Sequence, residues 1–152
     1  MSSPSPLAYL SIRNTLSLYC EALDTKNFAL LHSVFTPDVV ANYPFNTHMS
    51  GVEEISGAIQ KRLGPILTSH NLTTQTIEFS KVDARRASAR TYFVAVHFGQ
   101  GPREGEMLQA FGRYVDELVC LDGGDGGEEW RIEKRTVVFV RRVGDERVMS
   151  EF

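Results

Sequence analysis

Long apolar runs are missing from this chain, and so is any concentration of charge of one sign. Its apolar stretches, such as residues 137–140, fall far short of the roughly 20 residues a membrane-spanning helix requires. Lys and Arg number 16 against 19 Asp and Glu, a net charge of -3, and basic doublets such as Arg85-Arg86 and Arg141-Arg142 stand isolated. A protein that depends on phosphate contacts carries a concentrated basic patch, so nucleic acid is not an expected partner. Cysteine is scarce: Cys20 and Cys120 lie a hundred positions apart, with no CxxC and no zinc-like spacing. Free buried thiols are therefore expected rather than a disulfide. The opening Met-Ser-Ser-Pro-Ser-Pro has neither the basic nor the apolar region of a secretory signal. The expectation is a cytoplasmic protein with no membrane partner.

Motifs for bound groups are also wanting. The glycine cluster at residues 123–127 is followed by no GK[ST] and no helix, so it reads as a flexible hairpin connection rather than a phosphate loop. His32, His48 and His97 form no HxH or HExxH pattern, and neither a metal nor a cofactor is expected. What remains is an ordinary globular composition, 42% hydrophobic and 23% charged over 152 residues. That is one domain's worth of chain. Residues 1–6, rich in Ser and Pro, read as a flexible lead-in, 7–143 as a single domain and 144–152 as a C-terminal tail.

From Leu7 onward the periodicity is helical, with Ile12, Leu16, Tyr19 and Leu23 making one apolar stripe. Residues 24–27 break it, and Phe28, Leu31 and Phe35 suggest a second, short helix that Pro37 ends. Residues 39–43 have the β-branched and aromatic character of a strand, 46–50 read as a polar loop, and 51–63 as a further helix stopped by Gly64-Pro65. Residues 68–79, 87–98, 107–121 and 130–143 all read as long strands. Helices followed by a run of antiparallel strands make an α+β fold, a curved antiparallel sheet closed on its open side by the N-terminal helices. Such a half-cone encloses one deep apolar pocket, the natural seat for a small ligand.

The order and spacing of several pieces resemble one family. Tyr19-x-x-x-Leu23-Asp24-x-x-Asn27-Phe28-x-x-Leu31-x-x-x-Phe35-x-x-Asp38 is followed by a strand ending in Tyr43, a helix led by Gly51, and Ser69-His70 opening a strand. Gly112-Arg113-Tyr114-x-x-Glu117-Leu118 and Trp130-Arg131-Ile132-x-x-Arg135 continue the pattern. Together they resemble the SnoaL-like, scytalone dehydratase-like branch of the nuclear-transport-factor-2-like superfamily, over nearly the whole chain. The resemblance implies a cone-shaped α+β barrel, commonly a homodimer through its sheet. Members include scytalone dehydratase, polyketide cyclases and ketosteroid isomerases, and also proteins without catalysis, so chemistry must be argued from the site.

The resemblance places an Asp at the end of the first helix beside a His that opens a strand, and Asp24 and His70 match those positions. A carboxylate on one imidazole nitrogen fixes the tautomer and raises the basicity of the other. Asp24 equally suits a helix cap and His70 a backbone hydrogen bond, and the residues alone leave both readings open. Tyr43 matches a strand tyrosine that binds and polarises a substrate carbonyl, and its alternative is a core aromatic. Tyr19, one turn before Leu23, faces either the same cavity or the core. Tyr92, Met107, Gln109 and Phe111, with Phe93 and Val94, are the candidate walls and polar partners, subject to the alternation of strand faces. The chain departs from the dehydratase pattern at Leu23, where that enzyme has tyrosine, and at residues 108–111, where it has histidine. Asn27 stands where many relatives carry a second acid.

These residues suggest a cofactor-free enzyme that isomerises, dehydrates or cyclises a small, apolar, oxygenated intermediate of polyketide or meroterpenoid type in secondary metabolism. The alternatives from other classes are a non-catalytic ligand-binding or dimerisation module, and a subunit that docks on another protein through its sheet.

Overall fold

The structure, a computed structural model, describes residues 3–122 and 128–152. Helix α1 (Pro6–Asp24) begins where Ser5 accepts the Ala8 N–H at 3.2 Å and Pro6 fills the first turn, which has no use for its missing donor. It therefore starts inside the segment expected as a lead-in. Ile12, Leu16, Tyr19 and Leu23 are buried along one face, as their spacing requires. A 3-10 turn, Phe28–Ser33, follows in place of the expected helix. Strand β1 (Phe35–Tyr43) then starts four residues earlier than the sequence pattern suggests. Pro37, which cannot donate to a ladder, lies where the pairing of this strand is interrupted between Phe35 and Val40.

Residues 46–50, expected as a loop, form the short edge strand β2 (Asn46–Ser50), paired antiparallel to β1. Helix α2 (Val52–Leu63) buries Val52, Ile55, Ile59 and Leu63 and carries Glu53 and Glu54 in its first turn and Lys61 and Arg62 in its last, in keeping with the helix dipole. The remaining strands are β3 (Leu67–Phe79), β4 (Arg86–Phe98), β5 (Met107–Asp122) and β6 (Glu128–Gly144). They form one six-stranded sheet in the order β2-β1-β6-β5-β4-β3. All pairs are antiparallel except β1 with β6, so the sheet is mixed where an antiparallel one was expected. The connection expected at residues 123–127 lies outside the described residues.

Curvature comes from irregularities in register: an extra residue on β3 between Leu72 and Gln75, and extra residues on β6, Val140 opposite Phe111/Gly112 and Glu133 opposite Glu117/Leu118. Each bulge bends its strand and increases the local twist. The concave face takes alternate residues, Ala87, Ala89, Thr91, Phe93, Ala95 and His97 on β4 being buried and their neighbours turned outward. Helices α1 and α2 cover that face. A last 3-10 turn, Glu146–Met149, buries Val148 completely and packs against β4 and β5, so the segment expected as a tail is tied to the sheet. Cys20 and Cys120 are both free and buried.

Candidate active site

Asp24 closes α1 and His70 stands three residues into β3, and the packing of that helix on that strand brings them together. His70 Nδ1 lies 2.7 Å from Asp24 Oδ1, and the His70 backbone N–H donates to Asp24 Oδ2 at 2.8 Å. The Thr68 hydroxyl donates to Asp24 Oδ1 at 2.8 Å. Lys26 Nζ donates to that hydroxyl at 3.2 Å and to the Leu63 carbonyl, at the end of α2, at 2.9 Å. An ammonium has no lone pair, so the Thr68 oxygen accepts from Lys26 and its only proton is left for Asp24. Lys26 adopts a left-handed conformation, φ 60°, uncommon for a residue with a side chain.

Burial works to raise the Asp24 carboxyl, but the side-chain and backbone hydrogen bonds of His70, its charge and the Thr68 hydroxyl together outweigh it, and the group lies below its ordinary value of 3.8. An ionised Asp24 makes His70 Nδ1 the donor and leaves its Nε2 with a free lone pair. The His70 side chain is only 5% exposed and that of Asp24 26%.

His70 borders a cavity of about 50 Å³ whose lining includes Tyr19, Tyr43, Phe45, Arg62, Phe93, Ala95, His97, Ala110, Tyr114 and Phe139. Tyr19 and Tyr43, both buried, share a hydrogen bond between their hydroxyls at 2.9 Å. Burial, before any other cause, raises both phenols above their ordinary range, so both stay protonated. His97 faces His70 with ring centres 6.4 Å apart. Its Nδ1 donates to the Leu108 carbonyl at 3.1 Å, since a carbonyl only accepts, and its Nε2 is therefore an acceptor. Burial pulls the His97 imidazole down to about 4, which keeps it neutral.

Four of the expected site residues lie elsewhere. Tyr92, Met107, Gln109 and Phe111 occupy the convex face, Tyr92 being 47% and Met107 42% exposed, with Gln109 donating to Met107 Sδ. Val94 shares that face, and only Phe93 of the candidate walls points inward. Strand alternation is the reason: once Phe93 faces the cavity, Tyr92 and Val94 must face away, and pairing carries the same parity across to β5. That parity brings His97, four residues after Phe93, to the cavity, where no sequence motif had placed it.

The expected deep pocket is mostly filled. Phe93 stacks on Tyr114 with centres 4.3 Å apart, and Tyr19 meets Tyr114 and Phe35 edge-on. Below them the Arg135 guanidinium, fully buried, binds Asp116 through two bonds of 2.7 and 2.8 Å. Its remaining nitrogen Nη1 has no acceptor, and its Cζ lies 4.1 and 4.3 Å from the ring centres of Tyr114 and Tyr19. The aromatic faces stand in for the missing acceptor. Larger hollows exist outside the cone, one of about 540 Å³ between α1 and β3 lined by Tyr9, Arg13, Ser17 and Gln75, but none of these contains the imidazoles. Among the described residues no group of three or more His, Cys, Asp or Glu is placed to hold a metal ion. No helix among them is long and apolar enough to cross a membrane.

The model of the SnoaL-like domain family matches residues 5–136. No curated protein sequence matches the chain. Among solved structures, one described as a candidate scytalone dehydratase from Novosphingobium aromaticivorans superposes with a TM-score of 0.77 at 21% identity, covering 92% of this chain and 89% of the other. A hexachlorocyclohexane dehydrochlorinase, LinA-type3, from Novosphingobium barchaimii superposes with a TM-score of 0.75 at 15% identity, covering 92% and 91%. At these identities the likeness is one of fold.

Proposed function

The chain belongs to the SnoaL-like family, and from that premise we propose that it is a cofactor-free acid–base enzyme that isomerises or dehydrates a small oxygenated carbon skeleton. The observation that carries this reading is the Asp24–His70 contact of 2.7 Å beside a cavity. His70 Nε2 takes a proton from carbon next to a carbonyl, and the C–H electron pair moves into the carbonyl as an enolate. The Tyr19–Tyr43 hydroxyl pair donates to the developing oxyanion, a role that Gln109, on the convex face, does not share. Ionised Asp24 stabilises the imidazolium. Return of the proton to a different carbon gives isomerisation. Its delivery to a β-oxygen, with expulsion of water, gives dehydration. His97 Nε2 is an acceptor for a substrate hydroxyl. Base assistance of this kind is worth roughly 10²–10⁴-fold.

A polyketide- or meroterpenoid-type intermediate suits the aromatic lining, and elimination chemistry is in keeping with fold neighbours described as a dehydratase and a dehydrochlorinase. The cavity of about 50 Å³ is small beside the roughly 300–1,000 Å³ of ordinary ligand pockets. Entry of such a substrate therefore displaces some of the side chains that line the cavity, among which are Phe45 and Arg62, in contact at 4.5 Å. The working unit on this reading is a homodimer formed through the convex face.

The test is deuterium exchange in heavy water, followed by NMR, over a panel of small β-hydroxyketones and cyclic ketones. Wild type is expected to exchange the α-proton of at least one member. His70→Ala should slow this by about a hundredfold or more and Asp24→Asn by a smaller factor, with unchanged circular dichroism. A ligand that binds equally to wild type and His70→Ala, with no exchange in either, would replace the enzyme by a ligand-binding module.

A further inference from the structure

One row of cross-strand partners runs over the concave face. His70 on β3 is opposite Ala95 on β4, Ala95 is opposite Ala110 on β5, and Ala110 is opposite Arg142 on β6. Directly opposed residues share a face of a sheet. An imidazole and a guanidinium therefore rise from the same side with only two methyl groups between them. At about 4.8 Å per strand, the backbones of His70 and Arg142 stand about 14 Å apart. Both alanines border the cavity, so the row is a low floor with a base at one end and a cation at the other.

Positive charge is in excess at the Arg142 end. Arg142 Nη1 binds Glu146 at 3.0 Å, but its Nε and Nη2 are buried and meet no acceptor. Its Cζ lies 5.7 Å from the ring centre of Phe139, which borders the cavity. Arg62 reaches the same place from the last turn of α2. It borders the cavity over the Phe45 ring and makes no hydrogen bond or ion pair among the described residues. The charges of Arg142 and Glu146 both act on it, so the cluster holds two cations and one anion. A place in the last helical turn satisfies the dipole equally well with the side chain in water, and does not explain why this one turns inward. Buried donors without acceptors are costly. What the buried edge of Arg142 lacks is a planar, singly charged acceptor, and a carboxylate fits that fork in shape, while Arg62, partly exposed beside it, leaves a charge that the same carboxylate balances.

We propose that the cavity takes a substrate bearing a carboxylate, held by Arg62 and Arg142 at one end of the alanine floor while the reacting carbon lies at His70. This rests on the reading of the cavity as the substrate site and narrows its substrate class. The span places the carboxylate several bonds from the acidic carbon. Arg62 and Arg142 are then specificity residues that act mainly on binding, whereas His70 acts on turnover.

The experiment measures binding of benzoate, phenylacetate and 3-phenylpropanoate, each beside its neutral amide, through the ring signals of His97. At least one acid is expected to bind about tenfold or more tightly than its amide. Arg62→Gln should remove most of that preference while leaving the amide unchanged, and Arg62→Lys should keep part of it. Arg142→Gln should act likewise, and if it fails to fold, Arg62→Gln decides alone. Equal binding of acid and amide, no binding of either, or an acid preference that survives Arg62→Gln would overturn the proposal. So would inorganic phosphate competing as strongly as the acids, which would mark a general anion patch. His70→Ala should keep the acid preference, so failure of the catalytic reading, seen by deuterium exchange, stays distinct from failure of this one.

Discussion

Three donors converge on the two oxygens of Asp24, and they come from residues 44 and 46 positions away in the chain. The carboxyl is held below its ordinary value of 3.8 because those bonds require it ionised. Their contribution to stability is complete above that value and is lost as pH falls through the lower, folded one. Asp24→Asn should therefore be less stable than wild type at neutral pH, with the gap closing as unfolding is followed below pH 3.8 by denaturant titration. A gap independent of pH would mean that the ionised form is not what the contacts recognise. Asp116 presents a harsher case. Its partner Arg135 is fully buried, and Asp116→Ala leaves that charge uncompensated, at a cost of about 3–5 kcal/mol. Calorimetry of the variant checks this, and a loss below 1 kcal/mol would mean that the aromatic faces of Tyr19 and Tyr114 hold the guanidinium by themselves.

Among the elements, β4 and β5 do most to shape the cavity, and Gly112 is where they do it. Its position coincides with the break in register against β6, and a methyl group there would meet the Val138 carbonyl and come within 2.9 Å of Phe93 Cζ. The absence of a side chain lets Phe93 lie flat on Tyr114. Gly112→Ala should destabilise the protein by about 1–3 kcal/mol, read as a lowered Tm, and should shift the ring signals of Phe93 and Tyr114. Wild-type signals and Tm in that variant would show that the strand bends without help from the glycine. The strands themselves were legible in the sequence because β-branched and aromatic residues cluster between turn signals. The edge strand β2 was not, since Asn46, Thr47, His48 and Ser50 are exposed and carry no apolar alternation, and pairing with β1 alone makes them a strand.

For the whole molecule, the convex face is where the misplaced wall residues gather. Tyr92, Met107, Phe111 and Val143 form an exposed apolar band across three strands, Phe111 being 36% exposed. That band is the surface the proposed homodimer would cover. Sedimentation at tens of micromolar should show a dimer, and Tyr92→Glu with Phe111→Glu should give a folded monomer. A wild-type monomer at that concentration would refute the dimer, and the band would then remain a solvent-facing surface.

Helix α1, helix α2 and the four long strands, and with them the α+β architecture, were contained in local periodicity, because burial on one face writes itself into spacing. The pairing of Asp24 with His70 came from the resemblance, and the structure brings those two groups into contact. Which face of each strand looks inward was not written there: a strand of alternating Tyr92, Phe93, Val94 and Ala95 is apolar on both sides, and only the packing of helices on one of them breaks the tie. That choice moved Gln109 out and His97 in, and together with the extra residue of β6 at Val140 it aligned His70 with Arg142 across two alanines, leaving a cavity of about 50 Å³ where the curvature alone suggested a deep one. Volume is the sum of contacts between residues distant in the chain, and no local pattern carries it.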